Sequence, residues 1–460
     1  MFSANLTPHL FFANYIWHSG VAGPSPKRSV SIRMNEIVGL ALFNQFSTTT
    51  WIAVAATVSF ICCTCFYVFL DSMRKRSSGV LFKLFYIPAR KSTTDAMQFG
   101  GLPVAASTIC VWLFLGSYGR FMFPQDRFMA TIFFHAVIPG LLVLIYGYLD
   151  DKFELRPIIK LLTQFIVVTM YALLTSRTLY PEFSTVSFIV VSFFGLGVMN
   201  GQNLLDGLDT LTIKIAMVSY LHFVALGLYF ALPTVTALAC LSLVPLLAFY
   251  SFNKEPAKIH LGEIGGAFIG FSFIVLSSVF HRSMIVANPS GLARSGILAL
   301  IPLTLPMAEI AISFLRRMVN GKSPFVGDKF HVHHILRHYW KWGASKVATV
   351  MALAYGIVTC LSFLCSHLIH PICGYALMIV SIGIAYFFVG RPYWFGKQTV
   401  DFSVKSLFQF IRKKDVMILE TALIDEFKIT IVQNPEIHDE MGAEAANGQE
   451  DSDNKIKKVS

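Results

Sequence analysis

The chain has 460 residues, of which 55% are hydrophobic and only 14% charged, against roughly a quarter charged in soluble domains. That balance excludes a soluble globular fold. A formal net charge of +11 does not point to nucleic acid either, because most of the excess lies in two stretches between long apolar runs.

Residues 1–45 form an N-terminal extension without the charged start, apolar core and small-residue cleavage site of a signal peptide in order. Met34, just ahead of an apolar lead, is an alternative start. Residues 46–391 hold the multi-span body. Apolar runs at 50–70, 128–148, 213–230 and 297–315 are each near the ~20 residues that cross a bilayer as helix. Others lie near 102–116, 157–175, 184–199, 233–250, 264–280, 346–366 and 371–389. Uninterrupted apolar runs satisfy their backbone in lipid only as helix, because barrel strands would alternate. The expected fold is therefore an all-α integral membrane protein, a polytopic bundle of about eleven transmembrane helices. Residues 392–434 mix apolar and basic side chains as an amphipathic segment on the cytoplasmic leaflet would. Residues 435–460 carry too little apolar surface to fold alone and read as a disordered tail. Seven cysteines in or beside the spans (Cys62, Cys63, Cys65, Cys110, Cys240, Cys360, Cys365) read as small hydrophobes.

Two basic stretches set the orientation. Residues 71–100 include Arg74, Lys75, Arg76, Lys83, Arg90 and Lys91, and residues 316–345 include Arg316, Arg317, Lys322, Lys329, Arg337 and Lys341. The positive-inside rule puts both in the cytoplasm. With eleven spans the C-terminus is then cytoplasmic and the N-terminus outside. The same parity brings Lys91, Asp150 with Asp151, Asn200 to Asp209, Glu263, and His331 to His334 to the cytoplasmic face, which defines a candidate active site.

In GYLDDKFELRPIIKLLTQ, Asp150 and Asp151 end one span, and Lys160 and Gln164 begin the next. Adjacent aspartates repel, which is tolerable in a solvated loop or opposite a divalent cation or a proton. In VMNGQNLLDGLDTLT, Asn200, Asn203, Asp206 and Asp209 recur at steps of three, so a helix would align them on one strip. Capping would need only one of them. PAKIHLGEIGG sets Glu263 between glycines at a span boundary, a weak signal alone because glycines there also serve packing. RRMVNGKSPFVGDKFHVHHIL groups His331, His333 and His334 with Asp328, Lys329 and Arg337. Zinc lacks its further ligands there, and donors to phosphate oxygens suit the basic surroundings better.

Taken in order, IPARK followed by GGLP, the Asp-Asp pair, the NxxNxxDGxD run, PAKIxxG and SPFxxDxxHxHH resemble the polyprenyl-phosphate N-acetylhexosamine-1-phosphate transferases of the glycosyltransferase family 4 type. The undecaprenyl-phosphate N-acetylglucosamine-1-phosphate transferases are the nearest pattern. The resemblance runs from about Ile87 to His334, and in span pattern to about Arg391. It implies transfer of a sugar 1-phosphate from a UDP-sugar to a polyprenyl phosphate with release of UMP, an early membrane step of envelope polysaccharide synthesis, in a bacterial inner membrane. It implies Mg²⁺, with Mn²⁺ as a substitute, held by Glu263, Asp150 and Asp151. Lys91 and Lys160 would hold phosphates, while Asn200, Asn203, Asp206 and Asp209 would face the nucleotide and its diphosphate. Asp150 and Asp151 would act near the nucleophilic lipid phosphate, and His331, His333 and His334 would clamp the UDP-sugar. A homo-oligomer is compatible with it; a nucleic-acid partner is not.

Two departures stand out: Glu263 replaces the family's metal-binding aspartate, and Ser92 and Thr93 follow Arg90 and Lys91 where the family has histidine. The ending HVHHIL separates the chain from the phospho-N-acetylmuramoyl-pentapeptide transferases, with their Pro-x-His-His-His pattern. Those enzymes, a non-catalytic scaffold and a transporter are the alternatives. The transporter is disfavoured because the carboxylates sit in loops and mid-span charge is scarce.

Overall fold

A computed structural model of the chain describes residues 47–76, 87, 96–124, 129–179, 184–287, 292–321, 323 and 330–394. The terminal extension, the segment from 395 onward, Lys91, Lys329 and Asp328 lie outside these residues. Thirteen helices and two very short strands are described: α1 (Thr48–Arg76), β1 (Met97–Gln98), α2 (Gly101–Met122), α3 (Met129–Phe153), α4 (Pro157–Leu179), α5 (Ser184–Leu204), α6 (Leu211–Tyr229), α7 (Pro233–Asn253), β2 (Ile259–His260), α8 (Gly262–Ala287), α9 (Leu292–Leu300), α10 (Thr304–Val319), α11 (Val332–His338), α12 (Ala344–Leu368) and α13 (Pro371–Trp394).

Eleven segments are long and apolar enough to cross a membrane, with α9 and α10 forming one of them (Ser295–Val319). The protein is thus an all-α, multi-pass membrane protein, as the apolar runs predict. Large apolar side chains such as Ile158, Leu162, Ile166 and Leu173 on α4 and Val186, Val190 and Phe193 on α5 are exposed. In water such surface would drive association; in a bilayer it is the ordinary lipid-facing side.

α8 is the centre of the bundle and is buried along almost its whole length. Its glycines let three neighbours approach at backbone distance. A Cβ on Gly101 of α2 would lie 2.1 Å from the Gly265 nitrogen, one on Gly147 of α3 would lie 2.6 Å from the Ile264 Cα, and one on Gly270 would lie 2.5 Å from the Met199 Cα of α5. Small residues at helix crossings serve close packing where lipid supplies no hydrophobic drive. Here they also draw the ends of α2 and α3 onto the first turn of α8, with α5 seated further along it.

A parallel two-residue pairing, Met97 with Ile259 and Gln98 with His260, pins the entry of α2 to the entry of α8. The ninth span is broken by a 3₁₀ turn, Ile301–Leu303. The Pro302 carbonyl released there accepts hydrogen bonds from Ser219 Oγ and Tyr355 Oη, both at 2.6 Å. Side chains thereby replace the missing helical partners inside the membrane.

Candidate active site

Asp150 and Asp151 occupy the last turn of α3, which runs to Phe153. They are therefore on a helix rather than in a loop, as the sequence suggested, because the apolar span continues unbroken to its end. Both are almost fully buried. Asp151 crosses to α8. Its Oδ1 accepts from the Glu263 N–H at 2.9 Å and from Gln98 Nε2 at 2.8 Å, and its Oδ2 accepts from the Ile264 N–H at 3.3 Å. First-turn N–H groups have no partner within their own helix and carry its positive pole, so Asp151 caps α8 from a different helix. Gly262 makes this contact possible. Its φ is +76°, and a Cβ there would lie 2.7 Å from Asp151 Oδ2, so both the backbone conformation and the space require glycine.

The Lys160 ammonium lies 2.7 Å from Asp150 Oδ2 and 3.1 Å from Glu263 Oε1. Asn203 Nδ2 donates to Glu263 Oε2, and Asp150 Oδ1 accepts from the Leu155 N–H at 2.8 Å. Asp150, Asp151, Lys160, Asn203 and Glu263 are thus joined in one network built from the ends of α3, α4, α5 and α8. Two carboxylates, Asp150 and Glu263, meet the single ammonium of Lys160, while Asp151 joins the network through the Glu263 backbone.

Among the described residues no group of three or more His, Cys, Asp or Glu side chains is arranged to hold a metal ion. Yet two hard carboxylate oxygens, from Asp150 and Glu263, converge on one position that a cation already fills. That donor set suits Mg²⁺, which takes one or two protein carboxylates and completes its shell with water and substrate phosphate. Asp151 fits less well, since backbone and amide N–H groups occupy both of its oxygens.

The NxxNxxDGxD residues do not share a helical strip. α5 ends at Leu204, so Asn200 and Asn203 are helical while Asp206 and Asp209 lie in the turns before α6. The glycine and the short polar residues stop the helix there. Asp209 turns to the α7–β2 connection, where its Oδ2 accepts from the Ala257 N–H at 3.1 Å and its Oδ1 lies 3.5 Å from His260 Nδ1. Asn253 secures the same turn, accepting from the Thr210 N–H at 2.8 Å and donating to the Ile259 carbonyl at 2.9 Å. Burial holds the His260 imidazole below its ordinary value against the opposing pull of Asp209. Asn200 sits half-buried one turn before Asn203 and makes none of these contacts.

The histidine segment meets this turn at Gly207. A Cβ on Gly207 would lie 2.4 Å from His333 Nε2 and 3.0 Å from His334 Cε1. His331 and His333 are buried, and their rings stack at 5.4 Å. Burial lowers the His333 imidazole, opposed by Glu309; burial and the neighbouring imidazoles hold His334 at about 3. Near neutrality, then, His333 and His334 are uncharged donors and acceptors rather than fixed cations.

Asp206 is pushed up to about 7, first by burial and then by the negative charge of Glu263. The sign of its effect on stability follows. Between the ordinary carboxylate value near 3.9 and about 7, the folded protein keeps a proton that the unfolded chain has released, so stability falls as pH rises through that window. An Asp206→Asn variant lacks this dependence. Its unfolding midpoint in detergent is expected to rise relative to wild type as pH goes from 4.5 to 7, with the gap levelling above about 7.5. A constant gap across this range would contradict the protonated Asp206.

Gln98, Gly207, Asn253, His260 and Glu309 are site neighbours that the motif reading passed over. Glu309 carried a signal: an acidic residue in an apolar span is expensive unless it does something.

Residues 133–281, from α3 to α8, match the family model described as glycosyl transferase family 4. Over that stretch the chain is similar to the family. It is a transferase, and the matched region carries every member of the carboxylate, lysine and amide network. A probable undecaprenyl-phosphate N-acetylglucosaminyl 1-phosphate transferase of Bacillus subtilis is 26% identical over 264 residues, covering 54% of this chain and 68% of the relative. An undecaprenyl-phosphate alpha-N-acetylglucosaminyl 1-phosphate transferase of Thermotoga maritima is 28% identical over 257 residues, covering 53% and 77%. A phospho-N-acetylmuramoyl-pentapeptide-transferase of Limosilactobacillus fermentum is 24% identical over 287 residues, covering 59% and 83%.

Proposed function

We propose that the protein transfers N-acetylglucosamine 1-phosphate from UDP-N-acetylglucosamine to undecaprenyl phosphate, releasing UMP, as an early membrane step of envelope polysaccharide synthesis. The observation that carries this reading is the pairing of Asp150 and Glu263 on Lys160, with Asp151 bonded to the Glu263 backbone, at the ends of four spans. A water-soluble sugar nucleotide and a lipid phosphate can meet only at a membrane boundary. The reading also has the support of the transferases it resembles, and the positive-inside rule favours the cytoplasm for the two basic stretches of the sequence.

The acceptor's phosphate oxygen attacks the sugar-bearing phosphorus, the phosphoanhydride bond to UMP breaks, and a new phosphoanhydride forms to the lipid. Two anions must approach. Unit charges 4 Å apart repel by about 4 kcal/mol at an effective dielectric near 20. Mg²⁺, held by Asp150 and Glu263, would supply the neutralising charge when bound. Lys160 holds phosphate oxygens from the same position, moving off one carboxylate as the substrates arrive. Asp151 orients Glu263 by anchoring the backbone on which it rides. Asp206, protonated up to about pH 7, can approach a diphosphate without adding charge, and His333 and His334 donate or accept hydrogen bonds across the site. Asp150 takes the acceptor's second proton if the monoester still carries it.

The test is UMP release by the purified full-length protein in detergent with undecaprenyl phosphate, UDP-N-acetylglucosamine and Mg²⁺. Release that needs all three is expected. Because one phosphoanhydride replaces another, excess UMP should regenerate UDP-N-acetylglucosamine from the lipid product. Release only with UDP-N-acetylmuramoyl-pentapeptide would favour the reading that the Limosilactobacillus fermentum relative suggests, and silence with every UDP-sugar would overturn both.

A further inference from the structure

The ninth span carries one carboxylate that the proposed chemistry does not use. Glu309 lies on α10 with 0% of its surface exposed. A buried carboxylate in a membrane span is costly unless partnered, and here each oxygen faces an imidazole nitrogen. His331 Nδ1 is 3.4 Å from Oε2, and His333 Nδ1 is 3.5 Å from Oε1. Ser313, one turn on, places its Oγ 3.3 Å from the same His331 Nδ1 and accepts from Arg316 at 3.4 Å. Tyr386 faces Glu309 from α13. His334 and His338 complete the titratable groups around the cluster; the rings of His333 and His334 lie 4.3 Å apart, and those of His334 and His338 5.9 Å apart.

The orientation of the rings gives this cluster its direction. With Nδ1 of His333 turned to Glu309, its Nε2 is the ring atom nearest to Gly207, at the turn that carries Asp206. An ionised carboxylate can only accept hydrogen bonds, so an imidazole that bonds to Glu309 through Nδ1 carries its proton there. The state of the nitrogen packed on Gly207 is then fixed by the bond made on the far side of the ring.

We propose that Glu309 is a positioning residue for the transferase site: its carboxylate holds His331 and His333 in the Nδ1–H tautomer and so presents the Nε2 lone pair of His333 to the Asp206–Asp209 turn. A neutral imidazole held this way accepts a proton or hydrogen bond from the substrate side, and Glu309 compensates the charge if the ring becomes imidazolium. The part played in turnover rests on the transferase reading above; the tautomer assignment does not.

The first arm therefore uses no substrate. In ¹⁵N-histidine-labelled full-length protein at pH 7.5, signals absent from His331→Asn and His333→Asn spectra are expected to show the Nδ1–H tautomer for both residues. An Nε2–H tautomer at either would overturn the proposal. In Glu309→Gln the amide offers one acceptor and one donor, so one of the two rings should switch tautomer; no switch in a folded variant would also overturn it. The second arm measures UMP release. Glu309→Gln should lower kcat roughly 10- to 100-fold, the usual scale for orienting partners of working histidines. KM for the sugar nucleotide should move much less, the pH profile should shift, and Glu309→Asp should recover part of the rate. Unchanged kcat and pH profile would reduce Glu309 to a packing role. If wild type turns over no sugar nucleotide, the reaction reading fails while the tautomer arm still decides this one.

Discussion

Asp151→Asn is expected to lower UMP release at least ~100-fold and to reduce the unfolding midpoint by several degrees, because one carboxylate both completes the acidic cluster and caps the central helix. Its oxygens take three N–H bonds, two of them from the first turn of α8. Asparagine presents an N–H₂ group to donors on at least one side, leaving a buried N–H unsatisfied. A hydrogen bond to a charged group contributes about 1.5–3 kcal/mol, and an orphaned buried donor costs about as much. The chemical loss should exceed what the stability loss predicts, since Glu263 donates its own N–H to Asp151 and moves with it. Rate and unfolding midpoint measured on the same preparation separate the two effects. A variant with a wild-type midpoint and a wild-type rate would show that the cap is dispensable and Asp151 chemically idle.

The eleven spans were legible because a bilayer imposes length and composition directly on sequence. In the same way, charge placement and span parity brought Asp150, Asp151, Lys160, Asn203 and Glu263 to one face before any contact was known. Their partners were not legible. Asp151 appeared as half of a repelling pair, whereas its neighbours are amide N–H groups, which leave no mark on residue identity. The step-of-three pattern suggested one strip, but Gly207 and the aspartates end the helix after Leu204, and Asp209 finds its partners 48 and 51 residues on, at Ala257 and His260. Glu309 was legible as an acidic residue inside an apolar run, but its partners were not: His331 and His333 lie 22 and 24 residues on, across a loop. The glycines of α8, read from sequence as ordinary packing devices, do serve packing, and through it they set the site geometry. The approaches of Gly101 to Gly265 and of Gly147 to Ile264 bring the ends of α2 and α3 within hydrogen-bond reach of α8.

Glu263→Asp tests the chain's main departure from the family pattern. If Glu263 were a decayed aspartate, restoring the shorter side chain would raise activity. The structure argues the reverse. Glu263 reaches two partners in different directions, Lys160 on α4 through Oε1 and Asn203 on α5 through Oε2. Its backbone is held in place by Asp151 and by the glycine contacts of α8, so it cannot advance to compensate. Aspartate withdraws the carboxylate by one carbon–carbon bond, about 1.5 Å, which lengthens a 3.1 Å ion pair past hydrogen-bonding range. Lys160 would then rest on Asp150 alone, and the two-carboxylate position open to Mg²⁺ would be lost. A fall in kcat of about 10- to 100-fold is expected, a scale typical of displaced orienting groups, together with a higher Mg²⁺ concentration for half-maximal rate. Glu263→Gln, which keeps the length and loses the charge, should retain the Asn203 contact through its carbonyl and still lose the metal dependence. Faster release by the aspartate variant would mean that the helix ends can close by more than an ångström, and that the glutamate is a remnant rather than an adaptation.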